Sequence, residues 1–128
     1  MDISKLTLIG LEGASGTSFQ LFPQQNLGQR HTAVVGRNPK VCDIPITLPG
    51  CEELSRKHAF FTFDQRTQRV LVIDMDSRNE THINERTLLP GTPEELNIGD
   101  VIKFGKALAF RLDLAHAEEL LSDKTERI

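Results

Sequence analysis

Residues 59–74 read Ala-Phe-Phe-Thr-Phe-Asp-Gln-Arg-Thr-Gln-Arg-Val-Leu-Val-Ile-Asp. The second half alternates: Val70 and Val72 fall on one face, Leu71 and Ile73 on the other. That two-residue period belongs to a β-strand, whose successive side chains project to opposite sides. The polar stretch 64–68 separates this run from the aromatic run 59–63 and has the composition of a turn. Residues 59–64 and 70–74 are therefore expected to be two strands around a short connection.

The same signature recurs in both directions along the chain. Apolar-rich stretches at 6–9, 19–22, 32–36, 43–46, 81–84, 101–104 and 108–114 bring the strand-like segments to nine. In the last, Phe110, Leu112 and Leu114 share one side. Gly, Pro, Asn, Asp or Ser mark the turns at 13–16, 37–39, 48–50 and 90–93. Many short strands separated by turns predict an all-β sandwich or barrel. Only 115–121 has a helical pattern, and a charged tail follows it. The expected organisation is one domain over 1–114, then a short C-terminal helix and tail over 115–128.

Composition narrows the function. The chain has 128 residues, 38% apolar and 26% charged, which suits one soluble globular domain. A domain of this size buries roughly two-thirds of its unfolded surface, so it needs neither metal nor disulfides to fold. With no Trp or Tyr, the core rests on Val, Ile, Leu and seven Phe. A net charge of −3 argues against a nucleic-acid partner. The apolar run before Glu12 is too short for a signal peptide or membrane span, so no membrane partner is expected. Because a strand follows the N-terminus almost at once, no N-terminal regulatory tail is expected. The expected compartment is the cytoplasm, with the nucleus as the alternative. Cys42 and Cys51 lack zinc-site spacing and read as small packed thiols.

Three turn segments carry concentrated chemistry: Gly36-Arg37-Asn38, Ser55-Arg56-Lys57-His58 and Ser77-Arg78-Asn79-Glu80-Thr81. Guanidinium forks match a tetrahedral oxyanion, and hydroxyls and amides add neutral donors. If the fold brings these turns to one end, Arg37, Ser55, Arg56, Arg78 and Asn79 form an anion pocket in an acidic protein. If it does not, they are separately solvated charges.

The order of these segments resembles the forkhead-associated (FHA) domain family. The markers are Gly36-Arg37, Asp43-Ile44, Ser55-x-x-His58-Ala59, Asp76-x-x-Asn79-x-Thr81-x-x-Asn84 and Leu96-x-x-Gly99-Asp100-x-Ile102-x-Phe104-Gly105. The resemblance runs from about residue 7 to 114 and implies an eleven-stranded β-sandwich whose loops at one end bind a phosphothreonine peptide. It implies that Arg37 and Ser55 hold the phosphate and that Arg56 contacts phosphate or peptide backbone. Asn79 would hold the peptide main chain with Arg78 beside it, while Gly36, His58 and Thr81 support the loops. The implied partner is a phosphothreonine-containing protein, a Ser/Thr kinase or one of its substrates. Two departures stand out: Glu80 and Glu85 occupy positions where the family usually has glycine, in turns expected to take positive φ, so a strain on the order of 1 kcal/mol is expected at each. The segment between Ile46 and Ser55 is also longer than usual, and its Glu52 and Glu53 border the implied groove. Thr125, with Ile128 three residues later, raises self-association through a phosphorylated tail.

Competing readings are weaker. A hydrolase would use Ser55 as nucleophile and His58 as base, yet their spacing does not favour direct contact and no third group orients the His. No catalytic residue is assigned. Asp74 and Asp76 read as solvated carboxylates rather than a metal site, and no cofactor is expected. The runner-up is a scaffold of the same fold that binds unphosphorylated partners through another face.

Overall fold

The computed structural model of the protein describes residues 2–23 and 31–115. Eleven strands are present among these residues: β1 (Leu6–Gly10), β2 (Ser18–Gln20), β3 (Thr32–Gly36), β4 (Ile44–Pro45), β5 (Ala59–Asp64), β6 (Arg69–Asp74), β7 (Thr81–Ile83), β8 (Arg86–Thr87), β9 (Glu94–Leu96), β10 (Val101–Phe104) and β11 (Leu108–Leu114). Short 3₁₀ turns occur at Ile3–Lys5 and Cys51–Glu53. The strands form two sheets, ordered β2-β1-β11-β10-β7-β8 and β4-β3-β5-β6-β9.

All nine stretches read from the residues carry a strand, with boundary shifts. The expected strand at 19–22 is displaced to Ser18–Gln20, while Leu21 and Phe22 turn into the core. No helix among the described residues is long and apolar enough to cross a membrane. The helix expected over 115–121 lies outside the described residues except for Ala115, which is not helical: its N–H bonds the Lys5 carbonyl at 2.7 Å. Thr125 also lies outside them.

Alternation creates the core. On β5, Ala59, Phe61 and Phe63 point inward; on β6, Val70 and Val72 do so, and Asp74 continues their parity. From the opposite sheet come Leu8, Ile102, Phe104, Phe110 and Leu112, each fully buried. Phe104 stands edge-on to Phe61 across the sheets, with centroids 6.2 Å apart, and tilts against Phe110 at 5.8 Å. Burying an aromatic side chain of this size contributes about 1.5–3 kcal/mol.

Register collects the loops. Val35 pairs Ala59 and Ala59 pairs Asp74, so β3 and β6 end where β5 begins. In the other sheet Phe104 pairs both Thr81 and Leu108. Gly105 N–H bonds the Glu80 carbonyl at 2.9 Å, and Met75 N–H bonds that of His58 at 3.0 Å. The β3–β4, β4–β5, β6–β7 and β10–β11 connections thus share one pole. Leu114, paired with Leu6, lies at the other.

The two missing glycines have different consequences. Glu80 has φ +71°, the left-handed conformation that glycine adopts without steric cost. At the β7–β8 hairpin, Asn84 takes the positive φ, +55°, and Glu85 does not. Asn84 tolerates that conformation, and its side chain accepts from Val101 N–H and donates to Asp100. The strain expected at Glu85 is therefore absent. Glu80→Gly should stabilise the protein by about 1 kcal/mol in urea denaturation, whereas Glu85→Gly should give no gain. Equal gains at both positions would contradict this assignment.

Candidate functional site

The loop pole begins with a close approach. Gly36 passes the Ser55–His58 segment so tightly that a Cβ on it would lie 2.2 Å from the Arg56 carbonyl oxygen. Glycine is the only residue that fits without moving that backbone. The contact lets Arg37 N–H bond the Ser55 carbonyl at 3.0 Å and Asn38 N–H bond that of Arg56 at 3.3 Å. Cys42 Sγ also donates to the Arg56 carbonyl, at 2.9 Å. Burial pushes the Cys42 thiol pKa up, which keeps the thiol protonated as that donor.

His58 joins two loops. It is fully buried and stands edge-on to Phe104, with centroids 5.6 Å apart. Nδ1 accepts the Ser55 backbone N–H at 3.1 Å. A nitrogen that accepts carries no proton, so the ring proton sits on Nε2 and is donated to the Glu80 carbonyl, 2.8 Å away. Desolvation, the largest influence, lowers the His58 pKa from 6.5, outweighing the Glu80 hydrogen bond and the Asp74 charge that oppose it. The two bonds together brace the β4–β5 and β6–β7 loops against each other. They also remove the hydrolase geometry, since neither ring nitrogen is free to take a proton from Ser55 Oγ.

Asp74 corrects the sequence reading. It is buried, not solvated, and its carboxylate accepts from Ser77 N–H at 3.1 Å, from the Ser77 hydroxyl and from Thr81 Oγ1 at 2.6 Å. These bonds shape the start of the β6–β7 loop and give Thr81 its supporting role. The signal was present in the inward parity that Asp74 shares with Val70 and Val72. Asp76 is exposed.

The braces leave a cleft of about 200 Å³ lined by Arg37, Glu52, Glu53, Leu54, Ser55, Arg56 and Arg78. Arg37 is oriented by Nε donating to the Leu54 carbonyl at 3.0 Å. Ser55 Oγ accepts the Arg78 backbone N–H at 2.9 Å, leaving its hydroxyl proton to donate elsewhere. No ion pair among the described residues involves Arg37, Arg56 or Arg78. Three guanidinium groups without carboxylate partners beside a free hydroxyl donor suit a compact, multiply charged oxyanion. Asn79 flanks the cleft without lining it; its Nδ2 donates to the Glu53 carbonyl at 2.8 Å. Lys57 is exposed and outside the lining. Glu52 and Glu53 form its acidic end.

Comparison with known proteins gives consistent findings. The sequence model of the FHA domain matches residues 33–105. The chain is 34% identical over 70 residues to the nuclear inhibitor of protein phosphatase 1 from Homo sapiens, covering 55% of this chain. The match spans only 19% of that relative's length. The solution structure of the FHA domain of an Arabidopsis thaliana hypothetical protein has a TM-score of 0.70 at 26% identity, covering 88% of this chain and 86% of that one. The N-terminal FHA domain of S. cerevisiae Rad53p, solved with a phosphothreonine peptide, has a TM-score of 0.70 at 19% identity, covering 92% and 98%. At that identity the likeness is one of fold alone.

The pKa direction sets a pH dependence. The folded state disfavours charged His58, so the unfolded chain binds that proton more readily. The stabilising contribution is complete above the ordinary value of 6.5 and is lost as pH falls from there toward the lowered folded value. Melting temperature should therefore fall from pH 7.5 to 5.5. His58→Ala should be less stable by about 1–3 kcal/mol and should lack that part of the decline. An identical pH profile in both proteins would refute the brace.

Proposed function

The chain belongs to the FHA domain family, and from that premise we propose that it is a non-catalytic module binding phosphothreonine-containing segments of other proteins. The observation that carries the proposal is the set of guanidinium groups of Arg37, Arg56 and Arg78, without ion pairs among the described residues, facing one cleft with Ser55. A phosphothreonine brings about −1.5 to −2 charges and three acceptor oxygens, opposite in sign to those cations and able to accept from several of the donors at once. In this reading Arg37 and the Ser55 hydroxyl hold the phosphate, while Arg56 reaches the phosphate or the ligand backbone. Arg78 stands beside them, and the Asn79 amide oxygen takes a main-chain N–H of the ligand. Gly36, His58 and Thr81 hold the loops in place.

The phosphate mark implies a Ser/Thr kinase upstream, making the partner a kinase or its substrate. Residues 1–114 are the binding unit, with 115–128 as an appended segment. Similarity to a human protein named as a nuclear inhibitor supports the nuclear alternative over the cytoplasmic one. The scaffold reading loses support because Glu80 keeps the left-handed backbone of the glycine it replaces and Glu85 needs none. Self-association through phosphorylated Thr125 remains part of the proposal, in trans. Ala115 leaves the pole opposite the cleft, and the ten residues from there to Thr125 reach at most about 33–36 Å when fully extended. Returning along the seven residues of β11 uses about 24 Å of that span.

Hydrogen bonds to charged groups contribute roughly 1.5–3 kcal/mol each. Three or four, offset by ordering of the ligand, correspond to micromolar affinity. Titration of a phosphothreonine peptide library against its dephosphorylated copy should show binding only to the former. Arg37→Ala and Ser55→Ala should each weaken it at least about tenfold with the folded spectrum retained. Full affinity in either folded variant would overturn the assignment.

A further inference from the structure

The β4–β5 loop carries opposite charges along one wall of the cleft: Glu52 and Glu53 first, Ser55 and Arg56 after Leu54. The two carboxylates are not equivalent. Glu53 Oε1 accepts Lys106 N–H at 2.7 Å and lies where a Cβ on Gly105 would meet it at 2.8 Å, so this group is engaged with the β10–β11 turn. Glu52 is exposed, and its carboxylate has no hydrogen-bond or ion-pair partner among the described residues.

The backbone beneath Glu52 is well defined. Gly50, at φ +97°, opens the Cys51–Glu53 turn, and Cys51 N–H bonds the Leu48 carbonyl at 2.9 Å. Glu53 N–H then bonds the Gly50 carbonyl at 3.1 Å, Leu54 N–H bonds that of Cys51 at 2.9 Å, and the Cys51 side chain packs on the core. A carboxylate held beside a phosphate pocket repels a dianion and any other acidic group. Three unpaired arginines in an open cleft would otherwise attract acid-rich segments indiscriminately. A carboxylate at position 52 opposes such segments and favours a ligand cation by simple charge complementarity.

We propose that the segment recognised here carries a lysine or arginine two or three residues from its phosphothreonine, paired with Glu52. The proposal rests on the phosphate reading of the cleft. The spacing follows from the loop: Ser55 lies three positions after Glu52, three steps of about 2.0–3.3 Å each, or roughly 6–10 Å. Two or three residues of an extended ligand span the same distance.

The test uses phosphothreonine peptides in an Ala/Gly host with a single Lys, Gln or Glu placed two or three residues to either side. Dissociation constants are measured for the wild-type chain and for Glu52→Gln, each against unphosphorylated copies. At one or more of these positions Lys should bind about two- to fivefold tighter than Gln, and Glu weaker by a similar factor. The spread should shrink as salt rises. Glu52→Gln should abolish it and bind the Gln peptide more tightly than the wild type does. Phosphate-dependent binding with no charge preference at any position, or a preference that survives Glu52→Gln, would overturn the role of Glu52 and leave the phosphate reading intact. Failure of every phosphopeptide to bind would overturn both.

Discussion

Both nitrogens of His58 are spent on backbone groups of different loops, and the site depends on that arrangement. One bond fixes the Ser55 amide, and with it the start of the Ser55–Arg56 wall. The other fixes the Glu80 carbonyl, which also accepts Gly105 N–H and so ties in the β10–β11 turn. Only a neutral imidazole can accept on one side and donate on the other. The ring has to be buried for that state to dominate, which is the service Phe104 and the sandwich core perform. Replacing the ring with an apolar side chain would strand a backbone N–H and weaken the hold on a carbonyl in a place poorly served by water.

Around that brace the loops divide their labour. Gly36 allows the β3–β4 loop to lie against Arg56, and Asp74 gathers Ser77 and Thr81 into the opening of the β6–β7 loop. Each anchor uses main chain or a short side chain, leaving the long guanidinium groups without ion pairs among the described residues and only Arg37 tied back, through Nε, to the Leu54 carbonyl. The cationic cleft is therefore assembled from backbone constraints, with no carboxylate neutralising Arg37, Arg56 or Arg78 among the described residues. An acidic chain can carry a local anion site when neutral hydrogen bonds hold its cations in place.

The sequence discloses the strands where alternation is sustained, as in β5, β6 and β11, because the two-residue period is a direct consequence of having one buried face. β8 and β9 escape that reading. Arg86 and Thr87 are both exposed, and Glu94–Leu96 buries only Leu96. Those segments are strands because register with β7 and β6 makes them so. Convergence of Arg37, Ser55 and Arg78 was likewise beyond composition, since it follows from sheet order; the family's ordered motifs supplied it. Asp74 was misread because its residue type outweighed its parity. The backbone at Asn84 and Glu85 was misassigned because either residue can occupy the left-handed position and only the folded hairpin selects one.

The central claim is a prebuilt anion cleft braced by a neutral histidine. It is tested most directly by nuclear magnetic resonance during titration with a phosphothreonine peptide, observing the arginine side chains, the loop amides and the His58 ring nitrogens together. The account predicts large shifts at Arg37, Ser55, Arg56 and Arg78, with His58 protonated on Nε2 and bare on Nδ1 before and after binding. Shifts concentrated on an outer sheet face, or a His58 that is charged or changes tautomer on binding, would contradict it.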